Sequence, residues 1–392
     1  MTSRLPALLL SLLPLLACSE ARPRPEAEPQ VEQPPPRLDK ILLAVVTPTE
    51  SESGEGTQAK KAPGRKPEPV SAALRFERTF ASSPNPAQAL TSLLLSRSAT
   101  EPPLAGLPEK VPAEVGDAAA RVPLQVHLGR AGFATYASIA DPALHAPALS
   151  TGFDALLEAS AAPWEGADAL LRRLASDKGR GFGYLQLSLP APVDPEAVLR
   201  RLRDGLVALG VDAHSLIVLT CTPAGAAAGA AAGDATETLE DMTDEQLGQR
   251  FHDRRMKVPL VFDWSRGLPG GKRWDYASHI DVVPSVLVLA GVSLPAGLAG
   301  RDLLPRQQPE RPLLMGEYLG LQPILSVRGE RWKVTQGPTG KRLAVFDLER
   351  DRGERRNLFQ GDRSNVREAL HFYFGVLSRD PYLQRMKGES RP

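Results

Sequence analysis

Short, continuous apolar runs recur along the chain, separated by stretches in which apolar residues return with helical period. The first run, 41–46, reads Ile-Leu-Leu-Ala-Val-Val and has no polar member. A strand with one wet face would alternate, so this one is expected to be covered on both faces, as central parallel strands are. Further strands are predicted at 74–81, 133–139, 182–189 and 216–221. Between them, Pro86 opens a helix running to 96, proline being suited to a first helical turn. Residues 121–130 form a helix ending before Gly132, and 164–177 and 195–209 are amphipathic helices, the latter stopped by Gly210. Strands and helices alternating at this rhythm predict an α/β fold, a mostly parallel sheet flanked by helices with right-handed crossovers.

From about residue 313 the pattern shortens. Runs at 324–327, 332–334 and 343–346 are strand-like, and Gly337 and Gly340 lie between the last two, which predicts a hairpin over 331–346. An amphipathic helix over 365–377 closes the pattern. The chain is therefore divided into an α/β domain, 39–310, and a small C-terminal part of antiparallel strands and a terminal helix, 311–392. There is no internal repeat, and the Ala/Gly stretch 225–233 carries no chemistry.

The first eighteen residues have another character. Arg4 precedes an apolar run, 5–16, interrupted by Pro6 and Pro14. About a dozen residues cannot cross a bilayer that needs about 20, but they suit the apolar centre of a signal peptide. The run ends Leu15-Leu16-Ala17-Cys18, which resembles the lipobox of bacterial lipoproteins. That resemblance implies cleavage before Cys18 and a lipid on its thiol, with the membrane as a partner through that lipid; a plain secretory signal is the alternative. Residues 19–38 are rich in Pro and Glu and poor in apolar residues, hence a tether. Ser19 after the cysteine implies the outer membrane of the cell envelope.

Charge narrows the field. Lys+Arg number 47 against Asp+Glu 46, so no basic excess points to nucleic acid. Lys60, Lys61, Arg65 and Lys66 are spread among Ala, Pro and Gly and read as a solvated loop. Cys221 is the remaining thiol once Cys18 is set aside, so no internal disulfide is available; it follows the run 216–219 and reads as a buried strand-end residue.

One region carries a family likeness. Arg255-Met256-Lys257-Val258-Pro259-Leu260-Val261-Phe262 leads through Gly267-Leu268-Pro269-Gly270-Gly271 to Ser278-His279-Ile280-Asp281-Val282-Val283-Pro284, then Leu289-Ala290-Gly291 and Gly300-Arg301-Asp302-Leu303-Leu304. Farther on come Val345-Phe346-Asp347-Leu348 and Asn357-Leu358. This order resembles the sulfatases, in the alkaline-phosphatase-like superfamily, most specifically over 255–360. The resemblance implies a strand near 258–262, a loop, and a helix from about 279, with Asp281 capping that helix and His279 a packing residue.

It also implies a calcium or magnesium ion held by carboxylates and amides, a nucleophile matured from Cys or Ser, and Lys and His residues at the leaving oxygen. Here those positions are degenerate. Thr47-Pro48-Thr49 stand where two aspartates are expected, with Glu52 nearest the second, and Thr222-Pro223 stand where the other two ligands belong. The nucleophile position falls at Pro86, or one earlier at Asn85, and its following Pro and Arg fall at Gln88 and Leu90; Ser82 and Ser83 lie nearby without the motif. The family's later histidines fall near Leu187 and 190–192, and Arg180 keeps a positive charge where a lysine is expected. No catalytic residue, metal ligand or cofactor is therefore expected.

Three readings stay open. The first is a lipid-anchored pseudoenzyme that binds or scaffolds an unknown protein or glycan partner. The second is an active sulfatase or phosphoesterase-type hydrolase whose metal site has moved to the acidic loops 50–55 and 234–245. The third is an interaction module on an ordinary soluble domain.

Overall fold

The computed structural model describes residues 37–49, 73–101, 122–144, 151–158, 162–223, 243–319, 322–359, 361 and 363–384. The expected leader, Cys18, the tether up to 36 and the loops 50–55 and 234–242 lie outside these residues, while Leu38, assigned to the tether, is buried in the core. Strand β1, Lys40–Thr49, has β5, Gly181–Pro190, on one side and β6, Ser215–Cys221, on the other, both parallel to it. β3, Ala134–Ile139, and β4, Ala155–Leu157, continue the sheet beyond β5. Beyond β6 come β7, Leu260–Asp263, then β2, Leu74–Phe80, and β8, Gly271–Ser278, so the order is β4-β3-β5-β1-β6-β7-β2-β8. Only β7 opposes its neighbours among these eight strands. The sheet is mostly parallel and flanked by helices, as the strand–helix rhythm predicts.

The uniform apolarity of β1 has its cause in the layers around it. Ile41, Leu43 and Val45 pack with Leu90, Leu93 and Leu94 of helix α1, Pro86–Leu95, with Leu124 and Leu128 of α2, Leu124–Arg130, and with the helix after β8. Leu42, Ala44 and Val46 face the other way, against Leu170, Leu171 and Leu174 of α3, Pro163–Ser176, and Leu199, Leu202 and Leu206 of α4, Pro195–Ala208. Each such side chain contributes about 1.5–3 kcal/mol by leaving water. A polar residue at any of these positions would put an unmatched group under a helix.

Two boundaries differ from expectation for identifiable reasons. α2 starts at Leu124 and not near 121, because Pro123 sits extended at the N-cap with φ −70° and ψ 159°. The stretch before the 279 helix is not a loop: it forms β8, an edge strand reading Gly-Lys-Arg-Trp-Asp-Tyr-Ala-Ser with only its last three residues buried. Its mostly polar composition hides it from a search for apolar runs.

A second sheet is antiparallel throughout: β9, Leu313–Leu319, β10, Gln322–Arg328, β11, Trp332–Gln336, and β12, Leu343–Asp347, in the order β12-β11-β10-β9. The predicted hairpin is β11–β12, with Val334 opposite Val345. Two short helices, α5, Asp244–Arg250, and α6, Asp253–Met256, precede β7; α7, Val282–Leu289, follows β8; and α8, Arg363–Leu377, packs Ala369 and Tyr373 on the second sheet.

The two sheets meet through buried charge. Lys333, with no exposed side-chain surface, lies 2.8 Å from Asp253 and 2.8 Å from Glu354 and donates to the Phe251 carbonyl. Arg328 also pairs with Asp253 at 2.7 Å and stacks 4.7 Å over Phe80. Burial alone would raise the Asp253 carboxyl, but Lys333 and Arg328 together hold it well below its ordinary value. Glu354, on the other side of the same ammonium, is pushed up by burial against the pull of Lys333.

Candidate functional site at the carboxyl edge of the large sheet

In open α/β sheets, ligands gather beyond the carboxyl ends of the parallel strands. Here β1, β6, β2 and β8 share a direction and end at one edge with Thr49, Cys221, Phe80 and Ser278. The segments that follow them carry most of the positions singled out by sequence.

Thr47 lies opposite Ser188 of β5 and is buried, and its Oγ1 accepts from Gln186 Nε2 at 3.3 Å. Pro48 and Thr49 are half-buried beside it. Thr222 is anchored by its backbone N–H, which donates to the Val46 carbonyl at 2.9 Å, so it stands directly next to the end of β1. Its Oγ1 is buried without a partner, and Pro223 follows, also buried. Past β2, Ser82 is buried with an unpartnered Oγ, and Asn85 caps α1 by accepting from Gln88 N at 3.2 Å. Pro86 occupies the first turn of α1, where its missing N–H costs nothing, and offers no nucleophile.

Gln88 and Leu90 are both structural. The Gln88 amide bridges to the end of β9, donating to the Tyr318 carbonyl at 2.8 Å and accepting from Tyr318 N at 2.9 Å, while Leu90 is in the core. Nothing local in the sequence signals that bridge, because its partners are 230 residues apart. Gln186, equally unannounced, ties the ends of β1 and β5 together and accepts from Asp141 N at 3.1 Å.

The residues of the strongest family likeness also prove to hold the fold. Asp281 has no exposed surface, and its carboxylate accepts from Ser278 N at 2.9 Å, Arg301 N at 2.8 Å and Arg311 Nη2 at 2.6 Å. It caps the turn His279–Asp281 that leads into α7 and fastens the 300–311 segment to it. At Gly300 a Cβ would fall 1.8 Å from the Ile280 carbonyl oxygen, so no other residue fits that approach. His279 is buried, 3.2 Å from Thr220 Oγ1, and burial pushes its imidazole down to about 4, against the pull of the Cys221 carbonyl. It is neutral at neutral pH. Burial likewise pushes the Cys221 thiol up to about 12, which leaves it protonated and unreactive.

Arg180 does not join these residues. It precedes Gly181, which pairs with Lys40 at the start of β1, whereas Thr47 pairs with Ser188. Seven steps of strand separate the two levels, about 23 Å at 3.3 Å per residue. Its guanidinium donates to the Ala290 carbonyl at 2.5 Å and lies 3.9 Å over the Phe133 ring. Leu187 is wholly buried inside β5, and Pro190 ends that strand beside Thr49.

Among the described residues the ends of β1, β2 and β6 present hydroxyls, amides and proline rings, while β8 leads into the neutral His279 and the ion-paired carboxylate of Asp281, and Asp141 donates its backbone N–H to Gln186 after β3. No group of three or more His, Cys, Asp or Glu able to hold a metal ion occurs among the described residues. A hard divalent cation needs several oxygen ligands with anionic charge to offset its dehydration, and the donor set at Thr47, Pro48, Thr222 and Pro223 does not fit one.

No family model matches the chain. Delta 4,5-hexuronate-2-O-sulfatase from Bacteroides thetaiotaomicron is 28% identical over 154 residues, a match covering 36% of this chain and 31% of that one. The chain thus matches about a third of that relative's length. Among solved structures, the phosphonate monoester hydrolase of Agrobacterium radiobacter superposes with a TM-score of 0.60 at 16% identity, over 89% of this chain and 96% of its own. The structure of Ps i-CgsB in complex with k-i-k-neocarrahexaose superposes with a TM-score of 0.59 at 15% identity, over 88% and 93%. Paired with a large mostly parallel sheet and a separate antiparallel one, these likenesses show that the chain has the fold of the sulfatases and their alkaline-phosphatase-like relatives.

Proposed function

We propose that this protein is a catalytically silent member of the sulfatase family, anchored to the cell envelope by a lipid on Cys18, that binds a glycan without cleaving it. The reading is supported by Thr47, Pro48, Thr222, Pro223 and Pro86, which by the sulfatase resemblance stand where carboxylates and a nucleophile are expected. A glycan is favoured as the partner by two similar proteins, one a delta 4,5-hexuronate-2-O-sulfatase and one crystallised in complex with k-i-k-neocarrahexaose. The lipid rests on Leu15-Leu16-Ala17-Cys18, and Ser19 favours the outer membrane.

The test is metal content and turnover together. Purified protein, dialysed against calcium and magnesium, should retain far less than one divalent ion per chain. It should leave 4-methylumbelliferyl sulfate and phosphate intact with either ion restored. A stoichiometric ion, or saturable release of the fluorophore, sinks the reading. Labelled palmitate should enter the wild-type protein in cells and not the Cys18→Ala variant.

A second reading, a hydrolase with a relocated metal site, has one observation in its favour. Glu50, Glu52 and Glu55 follow directly on β1, and Asp234, Glu237, Glu240, Asp241 and Asp244 come after β6, both strands ending at the same edge. Glu52→Ala and Asp244→Ala should abolish any turnover if it is correct and leave the protein unchanged if it is not.

A further inference from the structure

We infer that a groove beside the outer edge of the large sheet, built around Trp274, is a binding site for an uncharged sugar ring. It stands apart from the carboxyl edge: Trp274 lies four residues before Ser278, about 13 Å back along β8 at 3.3 Å per residue. The site is independent of whether that edge is catalytic.

Trp274 and Tyr276 stand two residues apart on β8, where its register with β2 shifts. Their environments differ sharply. Tyr276 is buried between two guanidiniums, Arg78 at 4.2 Å and Arg328 at 4.9 Å from its ring. Trp274 keeps 64% of its surface exposed, and no aromatic ring or guanidinium stacks on it among the described residues. The two border one cavity of about 260 Å³, whose other walls include Pro309, Glu310 and Arg301. A side chain of this size left in water at the mouth of a cavity is an available stacking surface.

The charges decide what fits. Arg78 is held by Glu330 through two bonds of 2.6 and 2.7 Å. Arg301 donates to the Pro309 carbonyl at 2.6 Å and the Tyr276 carbonyl at 3.1 Å. Asp275 is paired with Arg273 at 2.7 Å. Arg78 is thus paired with a carboxylate and Arg301 donates to two carbonyls, its Nε buried without a partner among the described residues, so neither presents an open fork to a sulfate or carboxylate. A ligand cation would in turn meet two guanidiniums across the cavity. A neutral pyranose meets neither difficulty: its C–H face lies on the indole, and its hydroxyls donate to the Glu310 and Glu330 carboxylates at the rim. Because the walls are held in ion pairs and backbone bonds, the site needs little ordering when it fills.

The experiment is calorimetric titration of the full chain with cellohexaose, laminarihexaose and maltohexaose at millimolar concentration, with choline and a heparin-derived hexasaccharide alongside. At least one neutral hexaose should bind saturably, and Trp274→Ala should weaken it tenfold or more while Trp274→Phe retains part of it. An unchanged melting temperature for both variants, expected for so exposed a residue, separates lost binding from lost folding. The inference is overturned if none of the three neutral sugars binds, if Trp274→Ala binds as well as the parent, or if choline or the sulfated sugar displaces the neutral one. Turnover of aryl sulfates would refute the silent-enzyme reading and leave this result untouched.

Discussion

Two regions of this molecule treat polar residues in opposite ways. Around Thr47 and Thr222 the carboxyl edge of the large sheet is neutral among the described residues, and the buried hydroxyls of Ser82 and Thr222 have no partner among them. The joint between the sheets concentrates buried charge, with Lys333, Arg328, Asp253 and Glu354 in one cluster and Arg250 with Glu317 at 2.5 Å; Asp281 with Arg311 at 2.6 Å is a separate pair, in the turn after β8. The contrast teaches that charge persists in this chain where a second charge holds it in place. A metal site asks for clustered like charges that only the bound ion relieves, so carboxylates there are a liability without the ion.

The sharpest way to break the comparison is at the joint. Lys333→Met leaves Asp253 and Glu354 facing each other without their ammonium, and should cost about 3–5 kcal/mol of stability in urea unfolding. A loss under about 1 kcal/mol would mean the cluster is not what fastens the sheets. Asp281→Asn keeps the shape but removes the charge that Arg311 faces, for about 1.5–3 kcal/mol.

The edge offers the converse test. Thr47→Asp with Thr222→Asp puts two carboxylates side by side at the ends of β1 and β6, which should destabilise the ion-free protein. Added calcium should then stabilise the double variant alone, by about 2.7 kcal/mol at a hundredfold excess over its dissociation constant, read as a raised melting temperature. A parent protein that responds to calcium equally would erase the difference between the regions.

Acid sharpens the joint further. Asp253 is held below its unfolded value, so its stabilisation is complete above about pH 4 and is lost as pH falls through the folded value. Carboxyl carbon shifts should show Asp253 ionised below the pH at which Glu354 has taken its proton, and Lys333→Met should move both titrations to higher pH. The smallest effect belongs to Arg180→Ala. Its ring contact and carbonyl bond should cost about 1 kcal/mol, with no change in ligand binding at the carboxyl edge.

Much of this was readable from residue order because its causes are local or periodic. A strand of six apolar residues can only be a covered one, α1 announces itself through Pro86 at its first turn, and α3 and α4 through their amphipathic period. β8 was not readable, since an edge strand needs few apolar residues and Trp274 and Tyr276 carry its pattern alone. Arg180 shows the same limit at the site: a residue can be the right type at the right place in a motif order and still stand at the far end of its strand. Gln88 shows it again, its bridge to Tyr318 resting on a contact that no window along the chain contains.

By itself, then, the sequence determined the layered α/β order and the hairpin of the second sheet, because each depends on the identity of neighbouring residues. Only the tertiary structure decided which of these positions meet, that Asp281 is engaged in three bonds, that Lys333 lies at the joint, and that Trp274 is left in water. Those outcomes depend on distances between segments, which chain folding sets and residue order does not reveal.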